Sequence, residues 1–580
     1  MPTPEKPQLG IDAARFEIVK NALLSAAEEM KIVLAKTAYS PLLKMAGDYS
    51  CGIFDARGNM VAQGPDLPIH LGSMPDAVRS VVRAFPSPRD GDVFIHNDPY
   101  HGGSHLPDVN VVMPVFVGER LIAYGCVRAH WPDIGSATPG SYGAVTEIYG
   151  EGLRMPPVRI YVDGEPDPNV EALILANVRA PSERLGDLRA QVAANRRAAE
   201  RLRNLAAKYG VDELLRVMDR ILDYSETMMR AAIRRLPDGT STFVDTIDGD
   251  GILEPGETMD ACFTVKVRVT KRDDTLLVDF DGSDPRVKGP MNAPLTVTRS
   301  GVFAALKMIL DPNSLIPPNS GAWRSVEVRA PEGSVVNAQE PAAVTYANHE
   351  MSARVGDMIF AAMYAMAPGN VPAASHGTGG VVVFGGIDYR TEQTFISYEV
   401  TKGGFGARPV KDGMNGVATP VGNMMNTPVE ILEMSFPLRV EEYALAPDSG
   451  GAGTWRGGLG VRRAWRILER EVHCATCADR NQTAPFGLAG GKEGGLSAIS
   501  LEMPDGTTRA MQGKGAFLAP AGSRLVFQVA GAGGYGDPAG RDPELIRRDV
   551  EAGYVTREAA RRDYGANWES RAAIDPIAAE

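Results

Sequence analysis

At 580 residues the chain is too long for one ordinary hydrophobic core, and its 44% hydrophobic and 23% charged content is that of a globular protein. Lysine and arginine total 60 against 72 aspartate and glutamate, a net charge of −12, which excludes the basic footprint that general nucleic-acid binding needs. No run approaches the roughly 18 apolar residues of a membrane span, the opening residues lack a targeting pattern, and five cysteines do not make a disulfide framework, so the cytoplasm is the expected compartment.

After a proline-rich leader, residues 13–37 carry Phe16, Val19, Leu23, Ala27, Met30 and Leu34 at helical spacing. From 48 to 157 short apolar runs alternate with Gly, Pro, Asn and Asp turns, the texture of a β-rich region. Two helices, 182–208 and 212–235, are broken at Tyr209-Gly210 and predict an αα-hairpin. A second β-rich region follows from Leu236, with strands at 263–269 and 276–280, and then buried helices at 296–310 and 351–366. Beyond Asp448 the segments are short, glycine-punctuated and strand-like (462–468, 496–501, 525–529), and the last forty residues read as a charged helical tail. The expected fold class is therefore α+β and multidomain: an N-terminal β-rich domain (1–180), a helical hairpin insertion (181–236), a central α+β domain (237–445), a β-rich C-terminal domain (446–540) and the tail (541–580).

Five of the eight histidines fall between His70 and His130. The informative stretches are NDPYHGGSHLPD, from Asn97 to Asp108, and AHWPDIG, from Ala129 to Gly135. Between them 109–117 and 121–129 read as two strands of a hairpin turning at Gly118-Glu119. Paired positions in an antiparallel hairpin have a nearly constant sum, here near 237; Asp108 and His130 sum to 238, so they emerge side by side at its open end. His105 lies three residues before Asp108 in a loop containing Gly and Pro, and can curl back to the same point. Two imidazoles and a carboxylate suit a divalent transition metal (zinc, manganese or iron), which can polarise a carbonyl or lower the pKa of bound water. The N-terminal domain is thus expected to be the metal domain. His96 continues a strand and reads as packed, His70 and His101 as turn or pocket residues, and Asp98 and Asp133 sit beside prolines where an aspartate commonly caps its own backbone.

These motifs also carry a resemblance. DYSCGIFDARGNM from Asp48, HLGSM from His70, the two histidine stretches, GDLRAQVAAN from Gly186, NTPVEILE from Asn426, DSGGAGTWRGGLG from Asp448 and GAGGYGDP from Gly531 are similar, in order, to the hydantoinase B family. That resemblance implies kinship with subunits of ATP-dependent hydantoin and lactam hydrolases, the C-terminal half of 5-oxoprolinase, and the α subunits of acetone and acetophenone carboxylases. It implies that His105, Asp108 and His130 hold the metal and that Asp48 contributes to it. The chain departs from the expected pattern just before Asp48, where Lys44 to Gly47 (KMAG) supplies no acidic residue and leaves the substrate subclass open.

No phosphate-cradling P-loop is present: Gly491-Lys492 is followed by Glu493, with Phe486 where the first glycine would stand. The resemblance implies that ATP is used by a separate A-type subunit with an actin-like nucleotide fold, which would phosphorylate the amide or enolate oxygen. The expected function is the metal-dependent catalytic subunit of a hetero-oligomeric, ATP-dependent cyclic amide hydrolase acting on a hydantoin, N-methylhydantoin, oxoproline or lactam. Asp48 or Asp133 would serve as base. A ketone carboxylase α subunit and a non-catalytic scaffold are the alternatives. Elsewhere, Cys474-x-x-Cys477 after His473 lacks the second pair of a structural zinc site. The cluster from Asn348 to Arg354 reads equally as site-facing or core-capping, His376 sits in a loop within reach of substrate or an interface, and KGGFGAR, from Lys402, offers Arg408 to an anion or to solvent.

Overall fold

A computed structural model describes residues 12–253 and 261–569; the first part of the expected leader, 1–11, and the end of the expected tail, 570–580, lie outside the described residues. The fold mixes α and β structure in several sheets, and the first of these carries the histidine stretches. Its strands, β1 (Tyr49–Asp55), β2 (Met60–Gln63), β3 (Val93–His96), β4 (Asp108–Val117), β5 (Arg120–His130), β6 (Val158–Val162) and β7 (Glu165–Pro166), lie in the order β2-β1-β5-β4-β3-β6-β7.

Strand alternation decides what covers each face of the central β4/β5 hairpin. Val109, Val111, Val127 and Ala129 pack in one core cluster with Leu188, Val192 and Leu202 of the helix Pro181–Tyr209 and with Phe16 and Leu23 of the helix Ala13–Thr37. Val112, Tyr124 and Cys126 point the other way, into a cluster shared with the helices Leu295–Leu310 and Glu350–Met363. The hairpin is buried on both faces, so each fully covered aliphatic side chain contributes about 1.5–3 kcal/mol. The αα-hairpin forms as expected, Pro181–Tyr209 followed by Val211–Arg234. It shares the core of the first sheet rather than standing apart: Gln191 Nε2 donates to the carbonyls of Val109 at 3.0 Å and Val127 at 3.3 Å. Trp131 Nε1 in turn donates to Gln191 Oε1 at 3.0 Å, which ties the end of β5 to this helix.

A second sheet orders β8 (Gly239–Ile247), β9 (Phe263–Arg272), β10 (Thr275–Asp279) and β11 (Val326–Arg329) as β11-β10-β9-β8. The next strands are β12 (Val381–Asp388), β13 (Gln393–Val400), β14 (Leu438–Leu445), β15 (Val461–Ile467) and β16 (Val472–Cys477). They are followed by β17 (Ala498–Glu502), β18 (Thr508–Met511), β19 (Lys514–Ala519) and β20 (Arg524–Gln528). They form two sheets, β13-β12-β16-β19 and β14-β15-β20-β17-β18. Strand pairing therefore runs across the expected boundary at 445/446: β12 pairs with β16, and β14 with β15. Partners are chosen by long-range backbone hydrogen bonding, which a pass along the chain does not see. The tail helices Pro543–Glu551 and Arg557–Tyr564 are docked through Asp549, which pairs with Arg456 at 3.0 Å, while the adjacent Arg541 pairs with Asp412 at 2.7 Å. Among the described residues no helix is long and apolar enough to cross a membrane.

Candidate metal centre

The register of the β4/β5 hairpin brings the site together. Gly118, at φ 58°, makes the turn that a side-chain-bearing residue adopts only with strain. Pairing starts at Val117↔Arg120, a bulge between Val115 and Phe116 shifts the sum of positions by one, and the ladder ends on Asp108↔His130. On the other side β1 pairs with β5 from Tyr49↔Ala129 onward, and His130 N donates to the Asp48 carbonyl at 3.0 Å. Gly47, at φ 72°, ends the short helical turn Leu42–Ala46 and delivers Asp48 to that edge. The loop carrying His105 is pinned by Asn97, whose Nδ2 donates to Leu106 O at 2.8 Å and Leu153 O at 2.9 Å.

His105, Asp108 and His130 are all buried, and their candidate ligand atoms lie within 4.8 Å of one another. His105 Nε2 is 3.2 Å and His130 Nδ1 3.4 Å from Asp108 Oδ1. His105 Nδ1 lies 3.2 Å from the Thr345 carbonyl, an acceptor that keeps the proton on Nδ1 and leaves Nε2 with its lone pair. Asp108 Oδ2 is held by the Ser104 hydroxyl and, at 3.4 Å, by Asn348 Nδ2. Burial works to raise the Asp108 pKa, yet His105 and His130 hold it well below the carboxylate range. Burial also pulls His130 down to about 4, so its ring is neutral. Asp108 Oδ1 nevertheless stays buried without a hydrogen-bond partner. A buried carboxylate oxygen so placed is costly unless a cation satisfies it. The candidate ligand atoms converge on a common point, and two imidazoles with a carboxylate are a donor set that fits a divalent transition ion.

Asp48 stands beside the trio, its Oδ2 3.9 Å from His130 Nδ1. Burial first, then the charge of Asp108, pushes its carboxyl up to about 8, with Lys402 pulling the other way. His70, 3.8 Å from Asp108 Oδ2 through Nε2, hydrogen-bonds Ser50 Oγ at 2.6 Å through Nδ1. Burial holds it neutral, with its pKa drawn down to about 3. Asp133 is not brought to this cluster. Its carboxylate accepts from the backbone N–H of Gly135, Gly140 and Arg179 and from the Arg179 guanidinium at 2.9 Å, so it is spent on anchoring the loop after β5. His96 is buried in β3, and His101 is a surface residue paired with Asp98 at 2.9 Å.

His130 and Asp48 line a partly open cavity. The opposite walls come from distant parts of the chain: Asn348 and His349, His376 and Thr378, Tyr398 and Lys402. The His130 ring packs 4.6 Å from that of Tyr398, whose hydroxyl lies 3.0 Å from the Tyr142 hydroxyl. Tyr142 OH is also 2.9 Å from His349 Nε2, and His349 Nδ1 is 2.9 Å from Glu350 Oε1. Sequence reasoning missed Tyr142, Tyr398 and Lys402. The open alternative for Asn348 to Arg354 divides: Asn348 and His349 face the site, while Arg354 is buried in ion pairs with Asp245 and Asp479. Cys477 joins His349 and Glu350 in a second group of metal-ligating residue types, whereas Cys474 is packed on the far side of the strand in another cluster. Arg408 is absent from the cavity lining; the cation there is Lys402, at the other end of the same motif.

Comparison with known proteins places the chain. Residues 12–538 match the model of the family described as Hydantoinase B/oxoprolinase. The chain is 33% identical to the B subunit of a putative D-/L-hydantoinase of Pseudomonas sp. (strain NS671), with 97% of each chain covered. It is 32% identical to the beta subunit of the caprolactamase of Pseudomonas jessenii, with 98% of each covered. The crystal structure of the ATP-dependent caprolactamase from that organism superposes with a TM-score of 0.87 over 96% of both chains. A nucleotide-free acetone carboxylase structure shares the fold at 20% identity, with a TM-score of 0.89 over 97% of this chain and 80% of that one. With the family's model matched from Asp12 to Pro538 and two such relatives aligned nearly end to end, the chain belongs to the Hydantoinase B/oxoprolinase family.

Proposed function

We propose that this chain is the metal-dependent catalytic subunit of an ATP-dependent cyclic amide hydrolase, acting with a separate A-type subunit that uses ATP. The observation that carries the reading is the convergence of His105 Nε2, Asp108 Oδ1 and His130 on one point beside a cavity that His130 and Asp48 line. The names of the hydantoinase and caprolactamase relatives support a cyclic amide as substrate and a partnered subunit as the working form. His105, Asp108 and His130 would hold a divalent ion with Asp48 as a further oxygen ligand, and such an ion supplies Lewis-acid polarisation of a carbonyl and acidification of water.

The chain's own residues do the rest. Ser104, Asn348 and the Thr345 carbonyl orient the Asp108 carboxylate and the His105 ring. Asp48, which lines the cavity with its Oδ2 3.9 Å from His130 Nδ1, is placed to take a proton there, which makes it the base in preference to Asp133, whose carboxylate is engaged by Arg179. Glu350 fixes the His349 ring, so that its Nε2 and the Tyr142 hydroxyl offer a second place to take up or return a proton. Leu67, Ile69 and Val421 add buried apolar surface to the cavity wall.

The test is turnover by the chain co-expressed with an A-type partner, supplied with ATP, hydantoins, lactams and ketones in carbon-13-labelled bicarbonate. Ring-opened acid without label is expected, and only when both subunits and a divalent metal are present. Incorporation of label would replace the hydrolase reading with a ketone carboxylase, and full activity in metal-free protein would remove the centre from the chemistry.

A further inference from the structure

The cavity holds one charged group that the proposed chemistry leaves unused. Lys402 follows β13 and is only 7% exposed, yet it lines the cavity and its ammonium makes no hydrogen bond or ion pair with a described residue. The nearby carboxylate of Glu399 is already engaged by Arg463 at 3.1 Å. The lysine's position is fixed on both sides: Thr401 N donates to Gly380 O at 2.8 Å, and Gly403 exchanges backbone hydrogen bonds with Val417. Asp48 is the carboxylate that acts on it most strongly, yet burial outweighs that attraction, so an ammonium without a hydrogen bond at the cavity wall still favours a ligand of opposite charge.

The surroundings agree on the sign of that ligand. Thr378 Oγ1 already accepts from the backbone N–H of Gly380 at 3.2 Å and Asp479 at 2.9 Å, so what remains on its hydroxyl is a proton to donate. His376 donates from Nδ1 to Gly404 O at 2.9 Å and is held neutral by burial, its pKa drawn down to about 4. Asp48 is the single carboxylate in the described lining, and it sits with the metal trio. Burial lowers the Lys402 ammonium to about 8, which leaves it charged at neutral pH.

We propose that Lys402 is the anion-binding residue of the cavity, seating a carboxylate or phosphoryl group of the substrate in the chamber shared with His130 and Asp48. The inference rests on reading this cavity as the substrate chamber. A carboxylate would belong to the cyclic amide itself, whereas a phosphoryl group would be introduced when the partner activates the amide. Lys402 fits either, because an ammonium recognises oxyanions as a point charge rather than through a planar fork.

Titration calorimetry on the full chain after chelator treatment, with inorganic phosphate and with acetate as probes, tests this apart from turnover. The wild type is expected to bind at least one probe, Lys402→Met to bind it at least about tenfold more weakly, and Lys402→Arg to keep most of the affinity. Tighter phosphate binding identifies the phosphoryl source and tighter acetate binding the carboxylate source; both support the assignment. Equal affinity in wild type and Lys402→Met, or no binding of either probe by the wild type, overturns it. Should Lys402→Met fail to fold, Lys402→Gln takes its place under the same criterion. Loss of this inference would leave cyclic amide turnover standing, and failure of turnover would leave the anion titration standing.

Discussion

Two clusters of metal-ligating residue types lie near the same cavity, and they differ in how far the protein's own hydrogen bonds satisfy them. In the second, His349 Nδ1 meets Glu350, His349 Nε2 meets Tyr142, and the Glu350 carboxylate also accepts from Gly379 N at 2.8 Å and Asp479 N at 3.1 Å. Its remaining member, Cys477, is a thiol that burial pushes well above its ordinary pKa, away from the thiolate a metal would need. In the first, Asp108 Oδ1 and His130 Nε2 remain buried and unpaired. The same residue types therefore read differently according to whether the protein itself satisfies them. The second cluster is satisfied by hydrogen bonds of its own, whereas the first keeps a carboxylate oxygen and an imidazole nitrogen unsatisfied among metal-ligating residue types, which is the arrangement the proposed ion would complete.

The largest effect is expected from Asp108→Asn, which keeps the shape of the side chain and removes its charge. Elemental analysis should show bound transition metal falling from near one per chain to background, and product formation should fall by about two to three orders of magnitude while the partner still associates. Retention of stoichiometric metal in Asp108→Asn would dissolve the contrast between the clusters.

Next comes acid stability, which calibrates burial without a cluster. His96 and His376 have folded pKa values pulled down to about 3 and about 4 by burial. The unfolded chain protonates these rings near 6.5, the folded chain only far below that. Their contribution is therefore complete above pH 6.5 and is lost as pH falls toward 4, by up to about 1.4 kcal/mol per pH unit for each ring. Chemical denaturation between pH 7 and 4.5 measures the slope, and His96→Gln should make it shallower; an unchanged slope would show that His96 is not buried as a neutral ring.

Glu350→Gln should cost about 1–3 kcal/mol of stability, because it unpairs groups that Glu350 satisfies, and leave the metal content unchanged. Cys477→Ala should have the smallest effect, about 1 kcal/mol in the same denaturation assay, again with full metal content. Loss of metal in either variant would assign an ion to the second cluster and reverse the comparison.

The first cluster was legible because its geometry is local. A turn at Gly118-Glu119 and the arithmetic of antiparallel pairing bring Asp108 and His130 together, and the bulge at Val115/Phe116 supplies the one-position offset. The helices over 295–310 and 350–363 were legible for a similar reason, as apolar runs too long for strands. Tyr142, Tyr398 and Lys402 carried no comparable signal, since nothing in their neighbouring residues says which distant strand they will face. Asp133 illustrates the converse: a carboxylate beside a proline, in a motif that ends in the site, is taken up by Arg179 and backbone amides.

By itself the sequence determined the main α and β segments, the hairpin and the pairing of Asp108 with His130 at its open end, because each depends on periodicity or spacing within a few dozen residues. Tertiary structure alone decided which strands pair across 445/446, which carboxylate is left unsatisfied and which lysine faces the cavity. Those outcomes depend on burial and hydrogen-bond satisfaction between segments hundreds of residues apart, quantities that exist only once the chain has closed on itself.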